Sequence, residues 1–185
     1  TKMARLLAHA KERGIKTSID VVSETGERFG RLVPPALRYT DYCIINEIEA
    51  SRSTGIPLRA EDGALIYENV KKVLSKLFEL GVSEWAVIHS PEGGFGMDKD
   101  GDYAECGLVY TPSGFIKGKV GAGDAFCAGV LSAAHRGLSL LDAVKLGNAA
   151  ATVSLRSPGA TEAMETIEET MRICSELGFE PVKLN

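Results

Sequence analysis

The sequence predicts an α/β fold, a mostly parallel sheet flanked by helices, on three observations. Short apolar runs alternate with amphipathic stretches through the first third, an order that places parallel strands centrally with helices on their faces. A small-residue turn, Gly121-Ala122-Gly123-Asp124, opens a helical stretch rich in Ala and Gly. Neither an internal repeat nor a low-complexity linker interrupts the chain, so residues 1–185 are expected to form a single domain.

The elements follow in order. Met3, Leu6, Leu7 and Ala10 repeat at helical spacing over 3–13, and Gly14 separates them from a strand expected over 15–22. A second helix is expected around 27–39 and a second strand over 42–46. Asp62 is positioned to cap a longer helix on which Leu65, Ile66, Val70, Val73, Leu74 and Leu77 share a face, ending before Gly81. The strand Trp85-Ala86-Val87-Ile88 follows, then a hairpin of Phe95–Met97 and Tyr103–Cys106 turned around Asp100-Gly101. Three helices, about 123–136, 140–156 and 162–177, complete the pattern, with Ser139 and Asp142 capping the second and Thr161, Glu162 and Glu165 suiting the third.

Composition excludes several classes. With 44% apolar residues the chain has enough for a sizeable core, and its longest apolar stretches are interrupted well short of the roughly 20 residues a spanning helix needs. No secretory leader is visible. A net charge of −4 argues against nucleic acid as a partner, since backbone binding draws on clustered Lys and Arg. Cys43, Cys106, Cys127 and Cys174 are scattered without a C-x-x-C pair or a histidine at zinc spacing, which suits a reduced, cytoplasmic protein. Asp98, Asp100 and Asp102 do not make a calcium loop, because Gly101 falls at the fourth position and not the sixth; a solvated turn is expected.

The chemistry concentrates at the glycine turn. Glycines on both sides of Ala122 let the backbone turn sharply and present N–H groups to an anion, and the helix behind adds its positive end. Phosphate is the natural guest, with the Asp124 carboxylate placed to take a proton from an attacking hydroxyl. A tight strand-to-helix turn with an acidic first-turn residue is the plainer alternative. No G-x-x-x-x-G-K-[ST] occurs, and the turn lacks the third glycine of a dinucleotide fingerprint. Asn46 and Glu49, three apart, would face one cavity if Glu49 lies in the first turn after a strand, or form a surface acidic pair at a strand end. Asp20 ends the strand Thr17-Ser18-Ile19 and suits either a ligand or a helix cap. Asn148, among small helical residues, needs either a ligand or a hydrogen bond within the core.

These segments together resemble a family. Gly-Ala-Gly-Asp at 121–124 resembles the second signature of ribokinase-like carbohydrate kinases of the phosphofructokinase-B type. Asn46-Glu47-Ile48-Glu49, after Tyr42-Cys43-Ile44-Ile45, resembles the family's Asn-x-x-Glu motif. Gly147-Asn148-Ala149-Ala150-Ala151-Thr152 and Ser157-Pro158-Gly159-Ala160 are similar to its nucleotide-flanking helix and closing turn. The resemblance implies a three-layer ribokinase-like fold and ATP-dependent phosphoryl transfer to a hydroxyl of a sugar or sugar-like molecule, with nucleoside or vitamin-alcohol kinases of the same superfamily as the alternative. It implies Asp124 as catalytic base, Gly121, Ala122 and Gly123 as donors to the phosphoryl charge, and Asn46 with Glu49 ordering Mg2+ through water. Asn148, Ser90, Gly94 and Gly159 are implied on the nucleotide side, and Lys119 is added to them only because it adjoins the turn.

The chain also departs from the family. Gly118-Lys119 stands where Asp-Thr is usual, so the monovalent-cation site does not carry over, and Lys119 is expected to add positive charge near the phosphates. The loop His89-Ser90-Pro91-Glu92-Gly93-Gly94 stands where the family reads Thr-x-Gly-x-x-Gly, with Pro91 removing a donor. The family's Gly-Gly hinge, small β lid and most of its sugar pocket have no counterpart here, and Thr1 leads almost directly into a helix. The chain is therefore expected to be the C-terminal, nucleotide-binding portion of a longer kinase, inactive on its own and prone to homodimerise through the surface the absent strands would cover. A chain complete as written would instead be a non-catalytic nucleotide-binding or assembly module.

Overall fold

The computed structural model describes residues 1–22 and 29–182. The elements are helix α1 (Lys2–Glu12), strand β1 (Ser18–Ile19), helices α2 (Phe29–Leu32) and α3 (Pro34–Leu37), strand β2 (Tyr42–Asn46) and helix α4 (Glu47–Thr54). After a 3-10 turn (Tyr67–Asn69) come helix α5 (Val70–Glu79), strands β3 (Trp85–Ser90), β4 (Gly93–Asp98) and β5 (Tyr103–Gly107), and helices α6 (Ala122–His135), α7 (Leu140–Ser154) and α8 (Ile167–Leu177). The strands form one sheet in the order β1-β2-β3-β4-β5. β1 and β2 are parallel, Ser18 opposite Tyr42 and Ile19 opposite Cys43. The short links from β3 to β4 and β4 to β5 join antiparallel neighbours, so the sheet is mixed.

The described residues of Thr1–Ile88, with Gly96–Tyr103, make one compact unit. Its core holds Leu37, Ile44, Ile45, Leu58, Val73, Leu74, Leu77 and Val87, all fully buried. Asp41, 3% exposed, ties this unit together. It accepts hydrogen bonds from the Thr17 N–H at 2.8 Å, the Thr17 hydroxyl at 3.0 Å, Ser83 at 2.9 Å and Lys11 Nζ at 3.1 Å. Burial pushes its carboxyl up, but these donors outweigh burial and hold it below the usual carboxylate range.

Several expected boundaries move in this unit. The strand expected over 15–22 is only Ser18–Ile19, with Ile15 and Val22 exposed. The helix expected around 27–39 is two single turns, because Pro34 and Pro35 cannot continue α2 and instead start α3; residues 27 and 28 lie outside the described residues. Asp62 caps no helix. Its carboxylate accepts from the Ala64 N–H in a turn through Gly63 at φ 86°, Leu65 bridges to Arg59, and the helix starts only at Val70. Asp98 accepts from the N–H groups of Asp100 and Asp102, the expected turn.

His89–Phe95, with the chain from Ala104 through α8, makes the second unit. α6 and α7 pack closely because Gly129 meets the α7 backbone directly, where a Cβ would lie 2.7 Å from the Leu146 carbonyl oxygen. Val109, Ala149, Val153 and Cys174 form a buried cluster covered by Met171, Ile173, Leu177 and Phe179. Ser139 caps α7 as expected, accepting from the Asp142 N–H at 3.1 Å. The last helix starts at Ile167 and not at 162, since Thr166 takes the capping position, accepting from the Glu169 N–H at 3.2 Å with Glu168 and Glu169 in the first turn. All four cysteines are buried, and none forms a disulfide. No helix among the described residues is long and apolar enough to cross a membrane.

Candidate functional site

The turn before α6 is built by close packing. Gly121 has φ 80°, and a Cβ there would lie 2.7 Å from the Ala160 Cβ. Gly118 presses on the Pro158 Cα at a corresponding 2.7 Å. The segment 157–160 thus holds the turn from outside, a position only glycine fits. Helices α1, α4, α7 and α8 each begin on a side-chain cap, whereas α6 begins on Gly121, which has none. The Ala122 N–H donates to the Lys119 carbonyl oxygen at 3.4 Å, and no side chain caps the N–H groups of Gly123 and Asp124, beside which stands the exposed Asp124 carboxylate.

A cavity of about 340 Å³ opens at this turn. Ala122, Gly123 and Phe126 line it from α6, Asn148, Ala151 and Thr152 from α7, and Lys119, Ile116 and Val109 from the loop after β5. His89, Ser90 and Pro91 close it from the end of β3. The His89 ring stacks in a tilted contact on Phe126, centroids 4.9 Å apart, and burial lowers its pKa to about 4, so the imidazole is neutral near pH 7. Lys119 is exposed at the rim, and no ion pair to it is found among the described residues. The volume falls in the range of small-molecule sites, and the walls combine apolar side chains with a few polar ones.

Of the residues singled out from sequence, Ala122, Gly123, Lys119, Ser90 and Asn148 line this cavity, and Gly121 and Asp124 flank it in the same turn. Asn148 also has a core task, donating from Nδ2 to the carbonyls of Cys106 and Gly107, both at 2.9 Å. Ser90 accepts from the Glu92 N–H and so shapes its own loop. Gly94 and Gly159 are not in the wall. Gly94 packs under Val144 and Phe126, where a Cβ would come within 2.7 Å, and Gly159 packs against the Glu162 carboxylate. Phe126 also lines the wall without having been expected there, and Ala151 and Thr152, quoted within the segment that resembles the nucleotide-flanking helix, join it; Gly123 to Phe126 and Asn148 to Thr152 stand at the spacings that share a helix face.

Asn46 and Glu49 lie in the other unit and form a reciprocal capping box at the start of α4. Asn46 Oδ1 accepts from the Glu49 N–H at 2.9 Å, and Glu49 Oε2 accepts from the Asn46 N–H at 3.0 Å. Glu49 is 3% exposed, so the surface-pair alternative fails. Among the described residues no group of three or more His, Cys, Asp or Glu could hold a metal. One carboxylate and one amide suit a hydrated Mg2+, which keeps several waters, and not a chelated ion. Glu47, the intervening acid, is paired with Arg59 at 2.7 Å.

The architecture has known counterparts. The fold matches Arabidopsis thaliana ribokinase complexed with ribose and ATP with a TM-score of 0.74 at 20% identity, covering 93% of this chain and 51% of that one. It matches phosphofructokinase-2 from Escherichia coli in complex with substrates and products with a TM-score of 0.73 at 21% identity, covering 95% and 52%. In sequence the chain is 37% identical over 81 residues to 2-dehydro-3-deoxygluconokinase of Bacillus subtilis (strain 168), covering 40% of this chain and 24% of that protein. The chain spans about half the length of these solved structures and less of the curated relative. Residues 1–167 match the pfkB family carbohydrate kinases, and this extent of match makes the chain a member of that family.

Proposed function

We propose that this chain is the nucleotide-binding portion of a kinase that moves the γ-phosphoryl group of ATP to a hydroxyl of a sugar or sugar-like molecule. The observation that carries the reading is the uncapped start of α6, with Gly121–Gly123 and Asp124, beside a cavity of ligand size in a chain of this family. The base and ribose of ATP occupy the cavity against Val109, Ile116 and Ala151, and its phosphates reach the turn. Asp124 takes the proton of the acceptor hydroxyl, whose oxygen attacks the γ-phosphorus while the bond to the ADP oxygen breaks. The N–H groups of the turn and Lys119 hold the charge spread over the phosphoryl oxygens. Mg2+ would accompany the nucleotide as a hydrated ion, and Asn46 with Glu49 have the chemistry to order the waters of such an ion.

Family and neighbours support a sugar as acceptor, since the matched proteins are named as ribokinase, phosphofructokinase-2 and 2-dehydro-3-deoxygluconokinase. One solved phosphofructokinase-2 is in complex with potassium, but Gly118-Lys119 gives no carboxylate for such an ion here. Four cysteines without a disulfide suit a cytoplasmic setting. ADP release from ATP by a longer kinase that carries this portion together with a sugar-binding half, measured with ribose, fructose 6-phosphate and 2-dehydro-3-deoxygluconate and with Asp124→Asn as control, tests the reading. Release stimulated by one of these and cut about 10²-fold or more by Asp124→Asn is expected. Stimulated release untouched by Asp124→Asn would refute the assigned base.

A further inference from the structure

A second cavity, of about 490 Å³, opens in the first unit and shares no wall residue with the one beside α6. Its wall is built on α3. Ala36 and Leu37 turn into the core at 1% and 0% exposure, which leaves Pro34, Pro35 and Arg38 on the cavity side. Ala4 and Leu80 add apolar surface, Tyr39 an aromatic ring, and Arg31 and Glu79 charge. The end of α3 is held in place from behind. Gly81, at φ 119°, packs so closely that a Cβ there would lie 2.6 Å from the Arg38 Cα. The Thr40 hydroxyl donates to the Ala36 carbonyl at 3.0 Å, and the Thr40 carbonyl accepts from the Ser83 N–H at 3.1 Å, so the cavity stands on a fixed support. Its charge is unbalanced. Among the described residues neither the Arg31 nor the Arg38 guanidinium has a hydrogen bond or ion pair, and the Tyr39 hydroxyl has none either. Glu79 is the one acidic side chain in the wall, and it is already paired with Lys76 at 2.7 Å. Arginines at the ends of short helices also complement the helix dipole, but that role does not require two of them in one concave wall. In a protein of net charge −4, such a pair without a carboxylate is a place to which an anion is drawn.

We propose that this cavity binds a phosphate-bearing organic molecule, with Arg31 and Arg38 on the phosphate and Tyr39, Pro34, Pro35 and Leu80 against its body. Guanidinium suits phosphate because its planar fork donates parallel N–H bonds to two oxygens. The apolar part of the wall suits an organic body, which free phosphate lacks. Tyr39 offers a ring face for that body and a hydroxyl as a further donor. The site stands apart from the nucleotide reading, since all of its residues lie in the first unit and none is assigned to ATP or to the transferred group.

Amide chemical shifts of the 15N-labelled 185-residue chain, followed during titration with phenyl phosphate, inorganic phosphate and phenol, test it. Phenyl phosphate is expected to bind with a Kd below about 1 mM and to move the amides of Arg31, Arg38, Tyr39, Leu80 and Gly81. Inorganic phosphate should bind the same amides about tenfold more weakly, and phenol should leave them unmoved. Arg31→Met and Arg38→Met each remove a charge-assisted contact and should weaken phenyl phosphate about tenfold, while Arg38→Lys, which keeps the charge without the fork, should recover part of the loss. Both side chains are exposed, and circular dichroism melts matching the unsubstituted protein establish that the variants are folded. The map of moved amides in the unsubstituted chain decides the location whatever the variants do. Shifts confined to Lys119–Asp124 would place the phosphate at the turn before α6 and overturn the proposal. Absence of shifts, equal affinity for inorganic and phenyl phosphate, or undiminished affinity in both folded methionine variants would overturn it as well.

Discussion

Replacing Gly121 by alanine tests the architecture of the turn quantitatively. At φ 80° an L-residue costs about 1–2 kcal/mol in backbone conformation alone. The new methyl would also meet Ala160 at 2.7 Å from Cβ, 3.0 Å from Cα and 3.1 Å from the carbonyl oxygen, so the 157–160 segment must move, as in overpacking that costs about 1–3 kcal/mol. The sum is about 2–5 kcal/mol, or a fall in melting temperature on the order of 5–15 °C for a chain of this size. Gly114→Ala supplies the control, since Gly114 has φ 78° with nothing within 4 Å of its Cβ position and carries only the backbone cost. Thermal unfolding followed by circular dichroism should therefore rank Gly121→Ala well below Gly114→Ala. Adding Ala160→Gly removes the 2.7 Å contact and should return part of the difference, a coupling of roughly 0.5–2 kcal/mol in the double-mutant cycle. Equal losses at Gly121 and Gly114, with no coupling to Ala160, would refute the claim that the 157–160 segment braces the turn.

Two further outcomes follow from the same reasoning. His89 titrates near 6.5 when unfolded and about 4 when folded, so the unfolded state binds more protons between these values, and stability is full above pH 6.5 and falls by about 3 kcal/mol toward pH 4. Asp41, Glu84 and Glu169, held below the carboxylate range, add losses in the same direction at the acid end; denaturant melts of His89→Gln should lose most of the slope between pH 6.5 and 5, and a slope unchanged from the unsubstituted protein would contradict the burial argument. Asn46→Ala removes one half of the capping box and should cost about 1 kcal/mol in metal-free buffer, measured by urea unfolding; a cost seen only with Mg2+ present would make the pair a cation holder and not a cap.

Much of this molecule was legible in its sequence, and the parts that were not share physical causes. The α/β alternation, the start of α6 and the hairpin around Asp100-Gly101 were expected, because period and turn chemistry act locally. The Asp62 helix failed because Gly63 at positive φ and the Arg59–Leu65 bridge claim residues whose spacing also fits a helix. Thr161 was expected to start the last helix, but Thr166 takes the cap, with its pair of glutamates in the first turn. At the site, the glycine turn was readable because few residues tolerate it. Asn46 and Glu49 carry a spacing that serves capping and metal holding equally, and only the reciprocal hydrogen bonds revealed the first. Gly94 and Gly159 looked like ligand-side glycines, yet they are small for the sake of Phe126, Val144 and Glu162, which are distant in sequence or invisible to local pattern.

Titration of the chain with ATP, with and without Mg2+, alongside Asp124→Asn, tests the central claim most directly. The nucleotide reading expects Mg2+-dependent binding that Asp124→Asn retains, since its carboxylate serves the transferred proton and not the hold on the nucleotide. Absence of binding in the folded, unsubstituted chain would contradict it, and the turn at 121–124 would then be a structural corner.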